Sequence, residues 1–265
     1  MEFTALIHYF RDCPERERNL RAVCSWLQRE GCQVLVWTDS QLPAGLDVPS
    51  IGSDCRVDGY GYTGQRGKLI HRTRALNELL KAAQTPFVGI WDTDVVFPAG
   101  VMRRAYDLLQ THDAVYPYSG EFRRYPEPSS EKFAETLDET WLCREHGYRI
   151  QTNRNMVGGA VMVNRRRYME MGGENERFIA FAPEDKERFH RLSALGSVRR
   201  IDGPLLHLNH PRGENSKAVH EFQKQGADEF AKVAGMNCEQ LKEYIASWAW
   251  KKEFDRLLQA EKVLA

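Results

Sequence analysis

Residues 92–94 read Asp-Thr-Asp and stand between two apolar runs, Phe87-Val88-Gly89-Ile90-Trp91 and Val95-Val96-Phe97. An extended pair at that spacing puts both carboxylates on one side of the backbone. Carboxylates that close repel unless a proton or a cation lies between them. A buried strand that stops at Asp-x-Asp therefore suits a divalent metal, and open α/β sheets hold ligands at the carboxyl ends of their strands. The simpler alternative is a turn at a strand end. Two later stretches carry chemistry of the same kind. Phe181-Ala182-Pro183-Glu184-Asp185 leads two acids into a helix start, where they either serve the helix dipole or, facing a cleft, supply a general base. His207-Leu208-Asn209-His210-Pro211-Arg212 offers two imidazoles three residues apart on a turn, and Mn²⁺ accepts carboxylate and imidazole together. Loop histidines with no ion are the simpler alternative here.

These groups need a scaffold, and the apolar pattern predicts one. Residues 3–10 read as a buried strand, and Pro14 suits the first turn of a helix carrying Leu20, Val23, Cys24 and Leu27 at helical spacing. Gly31 fits its stop. Residues 33–38 make a second strand. Residues 41–67, rich in Gly, Pro and Asp, read as a long irregular connection, and 68–83 return to helical period. The Asp92/Asp94 strand completes a βαβαβ start, for which right-handed crossovers and a parallel sheet are expected. Beyond it, 98–110 read as helix, 114–118 as extended and 119–155 as polar and poorly periodic. Residues 156–163 read as a strand broken at Gly158-Gly159, and 183–195 as a helix opened by Pro183 and acids. Residues 204–216 carry the polar motif on a loop. From 217 the pattern is helical, with Trp248, Trp250 and Phe254 expected to pack it onto the protein or a partner.

Composition narrows the classes. The 265 residues balance 37 basic against 37 acidic side chains, so no broad nucleic-acid or membrane footprint is expected. The six cysteines are scattered without a Cys-x-x-Cys pair, which reads as reduced thiols in a cytoplasmic setting rather than a structural zinc site. No basic-then-apolar leader opens the chain, and no apolar stretch approaches the ~20 residues of a membrane helix. Peripheral association with a membrane stays open.

Taken in order, these features resemble the GT-A fold of nucleotide-sugar glycosyltransferases, within it the β-1,4-galactosyltransferases and the chondroitin-polymerase type of bacterial enzymes. The series is a βαβαβ start ending in apolar-Asp-x-Asp, a Gly-Gly strand, aromatic-x-x-Glu-Asp and a His-bearing loop. The resemblance spans roughly residues 3–216. It implies a mixed, mostly parallel central sheet flanked by helices. A nucleotide-binding half (1–97) and an acceptor and catalytic half (98–216) would make one GT-A domain, with 217–265 a helical extension. It further implies metal ligation by Asp94 and His210, with His207 where the animal enzymes place a Met ligand and with Asp92 contributing to the metal and diphosphate motif. Arg11, Asp39 and Arg72 fall in the nucleotide set, Gly158-Gly159 beside the donor sugar, Phe181 as a wall for sugars, and Arg212 in the segment resembling His-Ser-Arg. Asp185 matches the family's base and Glu184 the ligand of the acceptor hydroxyl. Mn²⁺ (or Mg²⁺), a UDP-sugar donor and a carbohydrate or lipid-linked glycan acceptor follow from the same likeness, as does an inverting transfer of a hexose or N-acetylhexosamine, galactose type favoured. Ala182-Pro183 and Phe181 depart from the family's Gly-Gly and Trp, which bears on the acceptor more than the donor.

Three other readings use similar residues. A nucleotidyltransferase would normally show a Gly-rich basic loop after the first strand, where this chain has Arg11-Asp12-Cys13-Pro14-Glu15-Arg16. A non-catalytic sugar-binding protein would not need Asp185. A metal-dependent hydrolase would activate water.

Overall fold

A computed structural model describes residues 1–60, 66–152, 156–180, 182–212 and 221–264. Phe181 and residues 213–216 of the polar loop motif therefore lie outside the described residues. The elements follow in chain order: β1 (Phe3–Tyr9), α1 (Pro14–Arg29), β2 (Gln33–Thr38), β3 (Ser50–Ile51), β4 (Arg56–Tyr60), β5 (Arg66–Ile70), α2 (Arg72–Ala82), β6 (Phe87–Trp91) and β7 (Val95–Val96). Next come α3 (Val101–Leu109), β8 (Ala114–Tyr116), β9 (Glu121–Arg124), α4 (Glu127–Thr136), α5 (Glu139–Arg144), β10 (Arg149–Thr152), β11 (Ala160–Asn164), α6 (Arg165–Glu170) and α7 (Glu184–Leu195). The remainder is β12 (Val198–Arg200), β13 (Pro204–His207), α8 (Gln223–Ala234), α9 (Cys238–Ala246) and α10 (Ala249–Leu264).

The central sheet has seven strands in the order β12-β8-β11-β6-β1-β2-β3. β1 pairs in parallel with β2 and β6, β2 with β3, and β12 with β8, whereas β11 runs antiparallel between β6 and β8. The sheet is thus mixed and mostly parallel, as expected. β6 lies at its centre with all five residues buried, which is why this strand reads as a continuous apolar run. Gly89 within it has no side chain because the Phe3 ring occupies the space: a Cβ there would lie 2.6 Å from it. A second sheet, β10-β9-β13-β7, stands beside the first, and β7 follows β6 directly in the chain.

The structure departs from the sequence reading in four places. The long connection 41–67 contains β3 and the β4–β5 antiparallel hairpin, and Leu69 belongs to that hairpin rather than to helix α2. The stretch 119–155 holds β9, α4, α5 and β10, whose short amphipathic runs are too brief to show a period. His207 ends strand β13 instead of lying on a loop. Asp92-Thr93-Asp94 is a turn between β6 and β7, so its carboxylates are not an extended pair on one face.

The C-terminal helices complete the core. Phe254 and Leu258 join the main hydrophobic cluster, while Val233, Leu241, Ile245 and Trp248 form a smaller one. Gly172 and Gly173, both at positive φ, pass so close beneath these aromatics that a Cβ would meet Trp248 at 2.7 Å and Phe254 at 2.5 Å. All six cysteines are free thiols. Among the described residues no helix is long and apolar enough to cross a membrane.

Candidate active site

The turn after β6 is clamped from several sides. The Trp91 indole N–H donates to the Val95 carbonyl at 3.0 Å and closes the turn over Asp92, Thr93 and Asp94. The Asp92 amide donates to the Gly159 carbonyl at 2.9 Å, and the Leu208 amide donates to the Asp94 carbonyl at 2.8 Å. Antiparallel pairing of β13 with β7 sets His207 opposite Val95, so strand register delivers a histidine from the far end of the sequence to Asp94.

The result is a compact donor set. His210 Nε2 is 3.0 Å and His207 Nε2 3.5 Å from the Asp94 carboxylate. One ligand atom from each of the three lies within 4.8 Å of the others. His210 Nδ1 is 2.8 Å from the Pro211 carbonyl, which can only accept, so Nδ1 carries the hydrogen and Nε2 turns toward Asp94. Burial pushes the His207 imidazole down to about 4 despite Asp94, which keeps it neutral as a metal ligand must be. The Asp94 carboxyl, though burial would raise it, is held far below the usual range by His207, His210 and Arg16. One carboxylate and two imidazoles fit Mn²⁺ better than Mg²⁺, whose shell is oxygen-rich.

Asp92 faces elsewhere. Arg72 Nη2 donates to its Oδ1 at 2.7 Å, and Asp92 is not part of the three-residue donor set. Burial and the nearby Asp94 push its carboxyl up to about 6, against the pull of Arg72. Arg72, from the first turn of α2, also donates through Nη1 to Glu184 Oε1 at 3.0 Å and to Asp185 Oδ1 at 3.5 Å. One guanidinium thus ties the Asp-Thr-Asp turn to the first turn of α7.

The acids of α7 do not cap their helix. Its N-cap is Pro183, with no side-chain capping bond. Asp185 Oδ1 instead accepts from Arg188 Nη1 at 2.7 Å, and Arg188 is gripped through its other nitrogens by buried Glu174 at 2.7 and 2.8 Å. Asp185 Oδ2 makes no hydrogen bond to a described residue and points at Gly158, where a Cβ would lie 2.6 Å from it. Burial would raise the Asp185 carboxyl, but Arg188 and Arg72 outweigh it and hold it below the usual range. Glu184 moves oppositely: burial and Asp185 push it up to about 8, and its Oε2 is buried without a partner. Neighbouring acids thus divide into an ionised acceptor and a protonated donor.

Asp92, Asp94, Arg72, Glu184, Asp185, His207 and His210 line one cleft of about 230 Å³ at the carboxyl ends of β1 and β6. Gly158 backs Asp185, and Gly159, at φ +84°, carries the carbonyl that anchors Asp92. Neither glycine is part of the cleft lining itself, and three more expected residues lie outside it. Arg11 is 67 % exposed and pairs loosely with Glu17 at 3.6 Å, because the chain turns outward into α1 after Phe10. Asp39 accepts from Arg56 Nε at 2.6 Å, and Arg56 stacks over the Phe10 ring at 4.1 Å, so Asp39 reaches the cleft rim only through Phe10. Arg212 is exposed beyond His210.

Other residues of the site escaped the sequence reading. His8 stands one residue before the end of buried strand β1, a polar group at a strand end much like the Asp-Thr-Asp turn, and that signal was available. Arg188 stands one helical turn after Asp185, a legible spacing. Arg16 Nη1 reaches Asp94 Oδ2 at 3.7 Å from the first turn of α1, and Glu174 follows Gly172-Gly173; nothing local marks either.

Comparison with known proteins agrees on the fold. No protein-family model matches the chain, and no curated protein matches it in sequence. Among solved structures, S. aureus TarS 1-349 in complex with UDP-GlcNAc superposes with a TM-score of 0.57 at 11 % identity, covering 92 % of this chain and 70 % of that one. Glucosyl-3-phosphoglycerate synthase from Mycobacterium tuberculosis, in complex with Mn²⁺, UDP and phosphoglyceric acid, gives 0.52 at 13 % identity, covering 88 % and 78 %. The catalytic domain of Drosophila β1,4-galactosyltransferase 7 with xylobiose gives 0.47 at 13 % identity, covering 89 % and 82 %. The chain has the GT-A fold; the first two superpositions carry that statement.

Proposed function

We propose that this chain is a metal-dependent glycosyltransferase that moves a sugar from a UDP-sugar to an acceptor hydroxyl. The observation that carries the reading is the meeting, in one cleft, of the Asp94–His207–His210 donor set with the Glu184–Asp185 pair, joined through Arg72. The first group suits a leaving diphosphate and the second an attacking hydroxyl. The solved GT-A structures in complex with Mn²⁺ and UDP or with UDP-GlcNAc favour the same donor class.

Asp94, His207 and His210 would hold the ion, Mn²⁺ by the chemistry of the set. Bound there, a divalent cation supplies positive charge against the negative charge that develops on the diphosphate. Arg72 fixes the distance between the two halves of the site. Asp185 offers Oδ2 to the acceptor hydroxyl and takes its proton, while Arg188 and Glu174 hold Oδ1. Glu184, protonated at neutral pH, donates to an acceptor oxygen. By the sequence resemblance, Asp185 acts as one base on the face opposite the leaving group, which gives a single displacement, hence inversion at the anomeric carbon. A hexose or N-acetylhexosamine, of galactose type by the sequence resemblance, passes to a glycan or lipid-linked acceptor.

The test is a thermal-shift panel of nucleotide sugars with Mn²⁺ and with a chelator, followed by acceptor-dependent release of UDP. A ligand at 100 times its Kd raises stability by about 2.7 kcal/mol, so a true donor is visible by mass action. A UDP-sugar should raise the melting temperature only with Mn²⁺ present. No shift with any nucleotide sugar refutes the reading, and UDP release that no acceptor accelerates replaces it with a hydrolase.

A further inference from the structure

The positive charges around the donor set are not all spoken for. Arg16 is paired with Asp12 at 3.0 Å and reaches Asp94, and Arg72 is shared among Asp92, Glu184 and Asp185. Arg188 is consumed by Glu174 and Asp185. Arg124 differs. It closes strand β9, and parallel pairing with β13 sets it in register with His207. In-register neighbours on paired strands project to the same face, and so do residues two apart on one strand. Phe122, two residues before Arg124, confirms the face: its ring lies 6.3 Å from that of His207. Arg124 therefore stands beside a metal-set histidine, just behind the residues that line the cleft.

Its guanidinium makes no hydrogen bond or ion pair to a described residue, and its Nε is buried without a partner. Arg212 adds a second positive charge close enough to be felt by Arg124, and Asp94 is the acid whose charge reaches it. An arginine half-withdrawn from water with no carboxylate at hydrogen-bond distance has five donors in a fixed fork and nothing to bind. Such a group is costly unless an anion arrives. A nucleotide sugar's diphosphate gains a further negative charge as its bond to the sugar breaks, and the released nucleoside diphosphate then carries more than one divalent ion neutralises.

We propose that Arg124, with Arg212 beside it, binds a phosphoryl oxygen of the nucleoside diphosphate next to the Asp94–His207–His210 set. The inference rests on the donor class proposed above. Arg124 would then share with the metal site the charge that grows on the leaving group, and would touch substrate directly.

The test compares the parent with Arg124→Gln and Arg124→Lys by calorimetry. Mn²⁺ alone, UDP with Mn²⁺, and inorganic pyrophosphate with Mn²⁺ are titrated into each. A charge-assisted hydrogen bond lost from a partly buried site should weaken UDP and pyrophosphate by about tenfold to a hundredfold in Arg124→Gln. Mn²⁺ affinity and melting temperature should not change, and Arg124→Lys should recover part of the loss. Equal UDP and pyrophosphate affinity in parent and Arg124→Gln overturns the proposal. An equal loss of Mn²⁺ affinity overturns it too, since Arg124 would then act by holding the metal set together. Should Arg124→Gln melt far below the parent, Arg124→Met, which keeps the aliphatic stem, takes its place with the same two outcomes. Pyrophosphate carries neither base nor sugar. If the parent ignores UDP but binds pyrophosphate through Arg124, the donor reading has failed and the arginine site has not.

Discussion

Replacing Asp185 by Asn separates a catalytic carboxylate from a structural one. The substitution is nearly isosteric. The amide oxygen can still accept from Arg188 at the Oδ1 position, and Glu174 keeps its two bonds of 2.7 and 2.8 Å to Arg188 whatever happens at 185. What is lost at that end is the charge in the 2.7 Å bond from Arg188 and in the long 3.5 Å contact from Arg72, a difference of about 1 kcal/mol, most of it from the first. For a chain of this size that corresponds to a fall in Tm of roughly 2–4 °C. At the other end the change is qualitative. The Oδ2 position, free of protein partners and facing Gly158, becomes an NH₂ group that donates and cannot take a proton. Losing a positioned general base costs about 10²–10⁴-fold in rate, or roughly 3–5 kcal/mol of barrier. Asp185→Asn should therefore fold, bind Mn²⁺ and UDP within about twofold of the parent, and transfer at least a hundredfold more slowly. The assay is acceptor-dependent UDP release under saturating donor, with calorimetry and a melting curve on the same preparation. Transfer within about threefold of the parent would remove Asp185 from the mechanism.

Other outcomes follow from the same geometry. His210→Ala should weaken Mn²⁺ binding more than His207→Ala, because His210 lies 3.0 Å from Asp94 and His207 3.5 Å; titrations giving both variants the parent's Mn²⁺ and UDP affinity would make them ordinary site histidines. Gly158→Ala places a Cβ 2.6 Å from Asp185 Oδ2 and should cut the transfer rate while sparing UDP affinity, so an unaffected rate means Oδ2 is not the working oxygen. Glu184, pushed up to about 8, should give the transfer rate an alkaline limb near that pH, and Glu184→Gln, which keeps a donor, should abolish the limb; an unchanged profile assigns the limb elsewhere. Burial lowers His71 to about 4, so between pH 4 and 6.5 the unfolded chain binds the extra proton and stability falls as pH falls. His71→Gln should flatten that fall by up to about 3 kcal/mol in urea unfolding, and an identical pH slope would absolve the residue.

Much of the scaffold was legible along the chain because its strands are buried on both faces. Such strands read as unbroken apolar runs, and β1, β2 and β6 did so. The chemistry-bearing stretches were legible for a related reason: Asp92 and Asp94 interrupt apolar sequence where solvation alone gives no cause. The resemblance to GT-A enzymes added an order to these signals, and the fold agrees with it. Three things needed the tertiary structure. The meeting of Asp94 with His207 and His210 depends on the antiparallel register of β7 and β13, which joins segments more than a hundred residues apart and leaves no local trace. The division of labour between Asp92 and Asp94 depends on a turn closed by the Trp91 indole, since an extended pair would have shared one face and one partner. The Arg72, Arg188 and Glu174 frame around Asp185 depends on burial, which makes ion pairs strong and sets neighbouring carboxyls to opposite protonation states. Local sequence specifies which groups are available and which segments extend or coil; only packing decides which charges lose their water, and with it which of them are left to act.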